Sequence, residues 1–439
     1  MVKRKFAAAV LAACAAFGAM AEGYQVNSLS ARQNGMGHTG TALHLGSESM
    51  IFNPAGLGFL DKAIDFQGSV TGIFAHATAK VNGTDWKTSN PTSTPMAFNL
   101  GMKVYDNFAA GISFYTPYGS TINWGENWPG AVLNQKVSLK AFTVQPTLAW
   151  RPVSNFSIGV GAMISFGSVD LDKGLVPVES MNMLLASQGV PYTFTDTPAS
   201  INLTGRAATT VGVNVGVLWD ITPRWSVGAS FRSKMNLTVK CGDASVSYAN
   251  EMAGQLLQQS LGILDQANFK ATMPAVAVLN VGAAFRPVAG LVIAADVQWN
   301  GWSAYKTLDI EFLSETLKPY NQYLTKNYKN SMTYHLGAQY SLTRRFDVRA
   351  GLMIDTTPVN SEHYNPETPG MTKIEPSVGF SFSPVKNFAI DAALQYVGGV
   401  GGKDKSCTYA DLLTNTQRTF TADYSVHAWN PAIGFRLNF

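Results

Sequence analysis

Apolar and polar positions alternate over long stretches of this chain, and six times the alternation runs into an aromatic or apolar residue, breaks briefly, and resumes from another. The breaks fall between Tyr105 and Phe108, Trp150 and Phe156, Trp219 and Trp225, Phe285 and Leu291, Tyr340 and Phe346, and Phe382 and Phe388. Successive side chains of a strand point to opposite faces, so each stretch has one apolar face and one small or polar face, and each break reads as the tight turn of a β-hairpin. The bracketing aromatic rings suit the headgroup boundary of a bilayer. Short turns belong on the periplasmic side and the longer connections on the outside. With a first strand near Ala63 to His76 and a last near Tyr424 to Phe439, about fourteen strands result, an even number that can close. The pattern thus predicts an all-β fold, a transmembrane antiparallel β-barrel.

Strand faces follow from parity. In the last strand Ile433, Phe435, Leu437 and Phe439 face lipid while Ala432, Gly434, Arg436 and Asn438 face inward; Ile158, Val160, Ala162, Ile164 and Phe166 also face out. A final aromatic on the lipid face resembles the terminal strand of bacterial outer-membrane proteins, which places the barrel in a Gram-negative outer membrane. Asn280, Arg286, Asp296, Gln298, His335, Gln339, Asp347, Arg349, Glu375, Asp391 and Gln395 fall on lumen parity, mixed in sign. They read as a hydrogen-bonded wall network rather than a catalytic or ion-selective ring.

Composition agrees with this picture. Charged residues make up 14% of the chain, against roughly 25% in ordinary soluble domains, and 40 glycines suit strands packed around a filled lumen. Beyond the N-terminal segment no run of about eighteen apolar residues occurs, which excludes a helical membrane protein. Residues 1–21 read as a cleaved signal peptide, with Lys3, Arg4 and Lys5, an apolar run from Phe6 to Phe17, and Ala19-Met20-Ala21 as cleavage site. Leu11-Ala12-Ala13-Cys14 also resembles a lipoprotein box, but the apolar stretch before Cys14 is very short. Three of the 32 Lys and Arg residues leave with the leader, so 29 stand against 28 Asp and Glu, and nucleic acid is not an implied partner. Of the remaining cysteines, Cys241 and Cys407 read as unpaired thiols near the outer rim, with a disulfide as the alternative.

Residues 22–60 precede the barrel of residues 61–439. They lack sustained alternation and are punctuated by Ser and Gly, which predicts short helices and turns folded into a plug. Gly23-Tyr24-Gln25-Val26-Asn27, the Ser/Gly-rich run to Gly40, and Asn53-Pro54-Ala55 resemble the N-terminal hatch of the FadL family of outer-membrane transporters for long-chain fatty acids and related hydrophobic compounds. Pro117-Tyr118-Gly119, Trp124, Trp128-Pro129-Gly130, and Phe142 to Pro146 resemble that family's third and fourth strands. Asp355 to Val359 resembles the loop after its eleventh. The likeness spans essentially the whole mature chain in order and spacing.

The resemblance implies a fourteen-stranded barrel closed by a hatch, a ligand cavity above it, and a kinked third strand through which ligand leaves sideways into the outer leaflet. Here the third strand, Phe108 to Pro117, carries Gly111 and ends at Pro117-Tyr118-Gly119. Proline gives no ladder donor and glycine marks bulges, so either a break in the wall or a simple strand end fits. The expected switch is movement around Asn53-Pro54-Ala55 and Glu22-Gly23-Tyr24. Val178 to Gln188 and Asn250 to Asn268 read as helices in outer loops, the second with Met252, Leu256, Leu257, Leu261 and Leu264 on one face. They either cap the barrel or offer a greasy capture patch. Lys173, Lys326 and Lys329 are the cations placed to meet a carboxylate, or else solvated surface lysines.

Enzyme motifs are missing from the sequence: the six histidines show no metal-binding spacing, and no G-x-S-x-G elbow or phosphate loop exists. No cofactor or metal is implied. The sequence therefore reads as a monomeric, passive, gated uptake channel for a hydrophobic small molecule, long-chain fatty acids first, with outer-membrane lipid as its other partner. A surface adhesin that only displays loops and a general polar porin are the alternatives.

Overall fold

A computed structural model describes residues 23–261, 266–315, 318 and 321–439. The signal-peptide residues 1–21, Glu22 and Leu264 lie outside them. Among the described residues, fourteen antiparallel strands close into a barrel. The first seven are β1 (Ile64–Thr71, continued by Phe74–Val81), β2 (Thr84–Lys87 and Met96–Tyr105), β3 (Phe108–Asn123), β4 (Lys136–Val153), β5 (Phe156–Gly174), β6 (Ala199–Asp220) and β7 (Trp225–Arg232 and Met235–Tyr248). The rest are β8 (Gln266–Ala275 and Val278–Phe285), β9 (Leu291–Asn300 and Thr307–Phe312), β10 (Gln322–Thr325 and Ser331–Thr343), β11 (Phe346–Asp355), β12 (Thr372–Val385), β13 (Phe388–Val400) and β14 (Thr416–Asn438). Closure comes from β14 against β1, in register from Asp65 opposite Asn438 to Thr71 opposite Ala432. All six short turns lie where the aromatic brackets put them, with Tyr105 opposite Phe108, Val153 opposite Phe156 and Val385 opposite Phe388.

The alternation sets the faces as expected. Ile158, Val160, Ile164, Phe166, Ile433 and Phe439 are exposed on the outer wall, and Ala432 and Gly434 are buried. Three earlier boundaries need correction, the first being that β14 begins at Thr416 rather than near Tyr424. β1 runs beyond His76 to Val81, and β3 does not stop at Pro117 but continues to Asn123.

Residues 23–60 fill the lumen between the strands. They form the short helices α1 (Ala31–Asn34) and α2 (Ser49–Phe52) and a 3-10 helix at Pro54–Phe59, and nearly all are buried. Ser30 caps α1 through the Gln33 amide at 3.1 Å, and Asn53 caps the 3-10 helix through the Ala55 amide at 3.1 Å, with Pro54 at its first position. The wall meets this segment with glycine: a methyl group on Gly159 would overlap Pro54, and one on Gly351 would overlap Gly37.

Lumen polarity is correspondingly divided. Arg349, Asp391, Arg436 and Ser381 form the expected wall network, with Arg349 Nη1 at 3.2 Å and Arg436 Nε at 2.8 Å from the Asp391 carboxylate. Asp296 and His335 instead reach inward. The Asp296 carboxylate accepts the Gly40 and Thr41 amides at 2.7 and 2.9 Å, and His335 Nδ1 lies 2.9 Å from the Gly37 carbonyl oxygen.

Outside, α3 (Val178–Ser187) and α4 (Glu251–Leu261) pack their apolar faces into one cluster around Met181, Leu185, Ala253 and Leu257. The second loop helix therefore ends before Gln266, where β8 begins. Cys241 is exposed and Cys407 buried, and both are free thiols.

Candidate functional site

The ladder between β2 and β3 ends at Ala97 opposite Tyr115. Just beyond, the Thr116 hydroxyl stands in for backbone, accepting the Met96 amide at 3.0 Å and donating to the Met96 carbonyl at 3.3 Å. β2 then turns toward β1, where the Thr71 amide bonds the Pro95 carbonyl at 3.0 Å, and it meets β3 again at the outer end, Ser89 to Asn123. On the opposite edge the register between β3 and β4 shifts between Tyr115 and Tyr118. The irregularity thus centres on Thr116 and Pro117. Gly111, expected at the break, sits in regular register with Gly101 and Thr147; it is glycine because the Met50 sulfur and the Leu100 carbonyl leave no room for a side chain.

The edge of β3 left without β2 is covered by the start of the described chain. Val26 N–H donates to the Pro117 carbonyl at 2.9 Å and Gly119 N–H to the Tyr24 carbonyl at 2.8 Å, making a one-residue antiparallel bridge between Gln25 and Tyr118. Gly23 takes a left-handed φ of 60°, and its missing side chain makes room for the Trp302 ring. Tyr24 is 1% exposed and lies edge-on to Trp302 and Tyr305 at ring separations of 5.0 and 5.9 Å, while its hydroxyl donates to the Pro274 carbonyl.

Above Tyr24 the lumen is hollow and apolar. A cavity of about 500 Å³ is lined by Lys173, Leu175, Leu203, Ile310, Phe312 and Leu324 among others. A tighter pocket of about 50 Å³ adjoins it through Leu203 and Ile310 and is floored by Tyr24. Leu139, Val239, Phe269 and Met273 complete its greasy wall, and Glu367 enters it from an outer loop.

Asn53-Pro54-Ala55 lies elsewhere, against β5 to β7. The Asn53 amide donates to the Thr41 and Val217 carbonyls at 2.7 and 2.9 Å, and Gly216 and Gly228 leave the space it occupies. The motif and the Tyr24 seal are therefore separate parts of one segment.

Residues 12–439 match the family model described as outer membrane protein transport protein (OMPP1/FadL/TodX). The chain belongs to this family. FadL/TodX-type relatives include outer membrane protein P1 of Haemophilus influenzae, 24% identical over 99% of both chains. The long-chain fatty acid transport protein of an Escherichia coli O6:H1 strain is 22% identical over 90% of this chain and 91% of its own. Among solved structures, a Pseudomonas aeruginosa FadL homologue superposes with a TM-score of 0.79 at 19% identity, covering 95% of this chain and 100% of that one. The Ralstonia pickettii toluene transporter TbuX superposes with a TM-score of 0.68 at 18% identity, covering 94% and 99%. The protein is thus an outer-membrane transport protein crossing the bilayer by strands, and its family and structural neighbours are transporters and channels.

Within this FadL/TodX-type barrel the three candidate lysines separate. Lys173 lines the large cavity. Lys326 is buried and already holds a carboxylate, that of Glu367, at 3.1 Å. Burial works against the Lys326 charge, but the Glu367 carboxylate outweighs it and keeps its pKa above the ordinary lysine value. Lys329 is exposed and lines neither hollow, and its backbone N–H donates to the Pro358 carbonyl at 2.8 Å. Leu256 and Leu257 also line neither; their faces are spent on packing α4 against α3. Sequence reasoning missed Trp302, Tyr305, Tyr328 and Glu367. The three aromatics were indistinguishable from girdle residues, and a lone glutamate in a loop carries no signal.

Proposed function

We propose that the protein is a passive, gated channel that takes up long-chain fatty acids and releases them sideways into the outer leaflet. The observation that carries this reading is the coincidence of the apolar hollow, its Tyr24 floor, and the interrupted β2–β3 wall that Tyr24 and Val26 cover. An acyl chain of about a dozen carbons gains roughly 10 kcal/mol on leaving water, at ~0.8 kcal/mol per methylene, so an apolar conduit suits it and a wide aqueous pore does not. Residues 23–60 act as the plug, and residues 23–26 as its mobile lip. When the lip leaves β3, the pocket opens toward lipid between Thr116 and Gly119. Lys173 meets the carboxylate first, at the outer end of the conduit. One barrel suffices for the path, so a monomer is the working unit.

Proteoliposomes test the reading directly. Labelled dodecanoate or oleate should enter membranes containing the protein faster than protein-free controls, while small sugars remain excluded. Free passage of sugars without fatty-acid transfer would leave a polar porin in its place.

A further inference from the structure

Three consecutive residues of the loop between β11 and β12 each make a long-range contact, and each of these leads to a different part of the gate. The Pro366 carbonyl accepts the Trp124 indole N–H at 2.9 Å, just past the outer end of β3. The Glu367 carboxylate holds Lys326 Nζ at 3.1 Å in a site where the two side chains are 5% and 2% exposed. The Thr368 hydroxyl lies 2.9 Å from the Tyr328 hydroxyl. Tyr328 stacks edge-on with Tyr305 and Trp302 at 5.2 and 6.0 Å, and those two rings pack against Tyr24. One tripeptide thereby clamps the end of the interrupted strand and, through the aromatic cluster, the residue that covers its gap.

The middle contact differs in kind from its neighbours. Among the described residues Glu367 is the only acidic one lining the lower pocket, and it is bound to a lysine that would otherwise be an unpaired buried cation. A buried lysine needs an anionic partner, because an uncompensated charge there costs several kcal/mol. It does not matter to Lys326 whether that partner is Glu367 or the headgroup of a ligand.

We propose that Pro366-Glu367-Thr368 is a latch that a ligand carboxylate opens by taking the place of Glu367 on Lys326. The exchange conserves the ion pair, so Lys326 stays neutralised while Glu367, freed, carries its loop toward the outer solvent. Pro366 then leaves Trp124, and Thr368 leaves Tyr328. The packing that holds Tyr24 over the gap loosens as a result. An alcohol or hydrocarbon of the same length fills the same apolar hollow but has nothing to offer Lys326, so it binds without releasing the latch. The inference rests on the fatty-acid reading above and adds to it a reason for carboxylate selectivity.

Dodecanoate and 1-dodecanol separate the two ideas, with hydrogen exchange of the 363–370 and 23–27 segments followed in the detergent-solubilised full chain. Dodecanoate should raise exchange in both segments about tenfold or more, and dodecanol should bind without doing so. Glu367→Gln, which keeps the shape and removes the competing charge, should show the raised exchange without ligand and bind dodecanoate more tightly. Lys326→Gln/Glu367→Gln, which has no buried charge to strand, should fold even if the single variant does not, and its exchange should be indifferent to the headgroup. If both ligands bind the unaltered protein and change exchange equally, the latch is wrong and the transport reading stands. If neither binds, both fall.

Discussion

Truncating Tyr24 should open the side of the barrel while leaving the barrel folded. The ring is fully packed against Trp302, Tyr305 and Tyr118, at 5.0, 5.9 and 6.0 Å, and its hydroxyl bonds the Pro274 carbonyl. Replacing a buried aromatic by alanine costs about 3–5 kcal/mol. The lower figure applies here, because the pocket beside the ring is already a hollow and less is lost in enlarging it. The loss falls on the closed arrangement alone, since a lip swung out toward solvent makes none of these contacts. Tyr24→Ala should therefore shift the balance of closed over open by ~3 kcal/mol, roughly a hundredfold. Tyr24→Phe keeps the rings and loses one hydrogen bond, about 1 kcal/mol, for a shift of roughly fivefold. The Gly119 amide reports the change directly, because it donates to the Tyr24 carbonyl in the seal. Its hydrogen exchange should accelerate in that order, Ala over Phe over Tyr, and fatty-acid transfer into proteoliposomes should rise in parallel. A folded Tyr24→Ala barrel with an unchanged Gly119 amide and unchanged transfer would refute the seal.

Asn53→Ala removes both donors that hold the Thr41 and Val217 carbonyls, so thermal stability should fall by about 1–3 kcal/mol, read as a lower melting temperature by circular dichroism. Gly159→Val forces a side chain into the Pro54 backbone and should expose residues 23–60 to added protease. Lys173→Met should weaken dodecanoate binding roughly tenfold while leaving dodecanol binding within about twofold, measured by calorimetry. Maleimide should label exposed Cys241 readily at neutral pH and spare Cys407, whose thiol burial pushes up to about 11; labelling of Cys407 should become appreciable only as the pH approaches that value.

Parity along the strands made the outer face legible, because a lipid-facing position needs only to be apolar and every second residue tells the story. It located Ile158, Val160, Ile433 and the six turns without any knowledge of partners. It also put Asp296, His335 and Asp391 on the inner face, but parity cannot say what an inward side chain meets. Asp391 meets neighbours on adjacent strands, whereas Asp296 meets amides 255 and 256 residues away in the chain. The interrupted strand was legible in kind but misplaced in detail. Proline at 117, which cannot supply a ladder donor, fits either a break in the wall or a strand end; a strand can carry proline where its ladder is already broken, and β3 continues six residues past it. The pairing of Lys326 with Glu367 was beyond reach for a different reason: a buried ion pair between two loops leaves no periodicity, and the lysine alone looks like any rim cation.

The same geometry bears on which part of the lumen segment moves. From Ala31 to Ala55 the segment is tied to the wall at many points: Ala31 N–H to the Ser69 hydroxyl at 2.7 Å, Gly40 and Thr41 to Asp296, the Phe52 carbonyl to Ser230 at 2.8 Å, and the Met50 carbonyl to Gln145 and Asn214 at 2.8 and 3.1 Å. Each such bond is worth about 1 kcal/mol when made, and leaving its buried partner unsatisfied costs more. Withdrawing the whole plug would break all of them together. Residues 23–27 are held by two backbone hydrogen bonds to β3, by the Tyr24 hydroxyl bond to the Pro274 carbonyl and by the packing of that one ring. An acyl ligand reaching the lower pocket would lie against that ring and gain more from apolar burial than these three bonds, at about 1 kcal/mol each, return. On the proposed uptake route the motion therefore belongs to the lip around Tyr24, with Asn53-Pro54-Ala55 as a static anchor, and the path should open sideways at the weakest seam while the floor of the barrel stays shut.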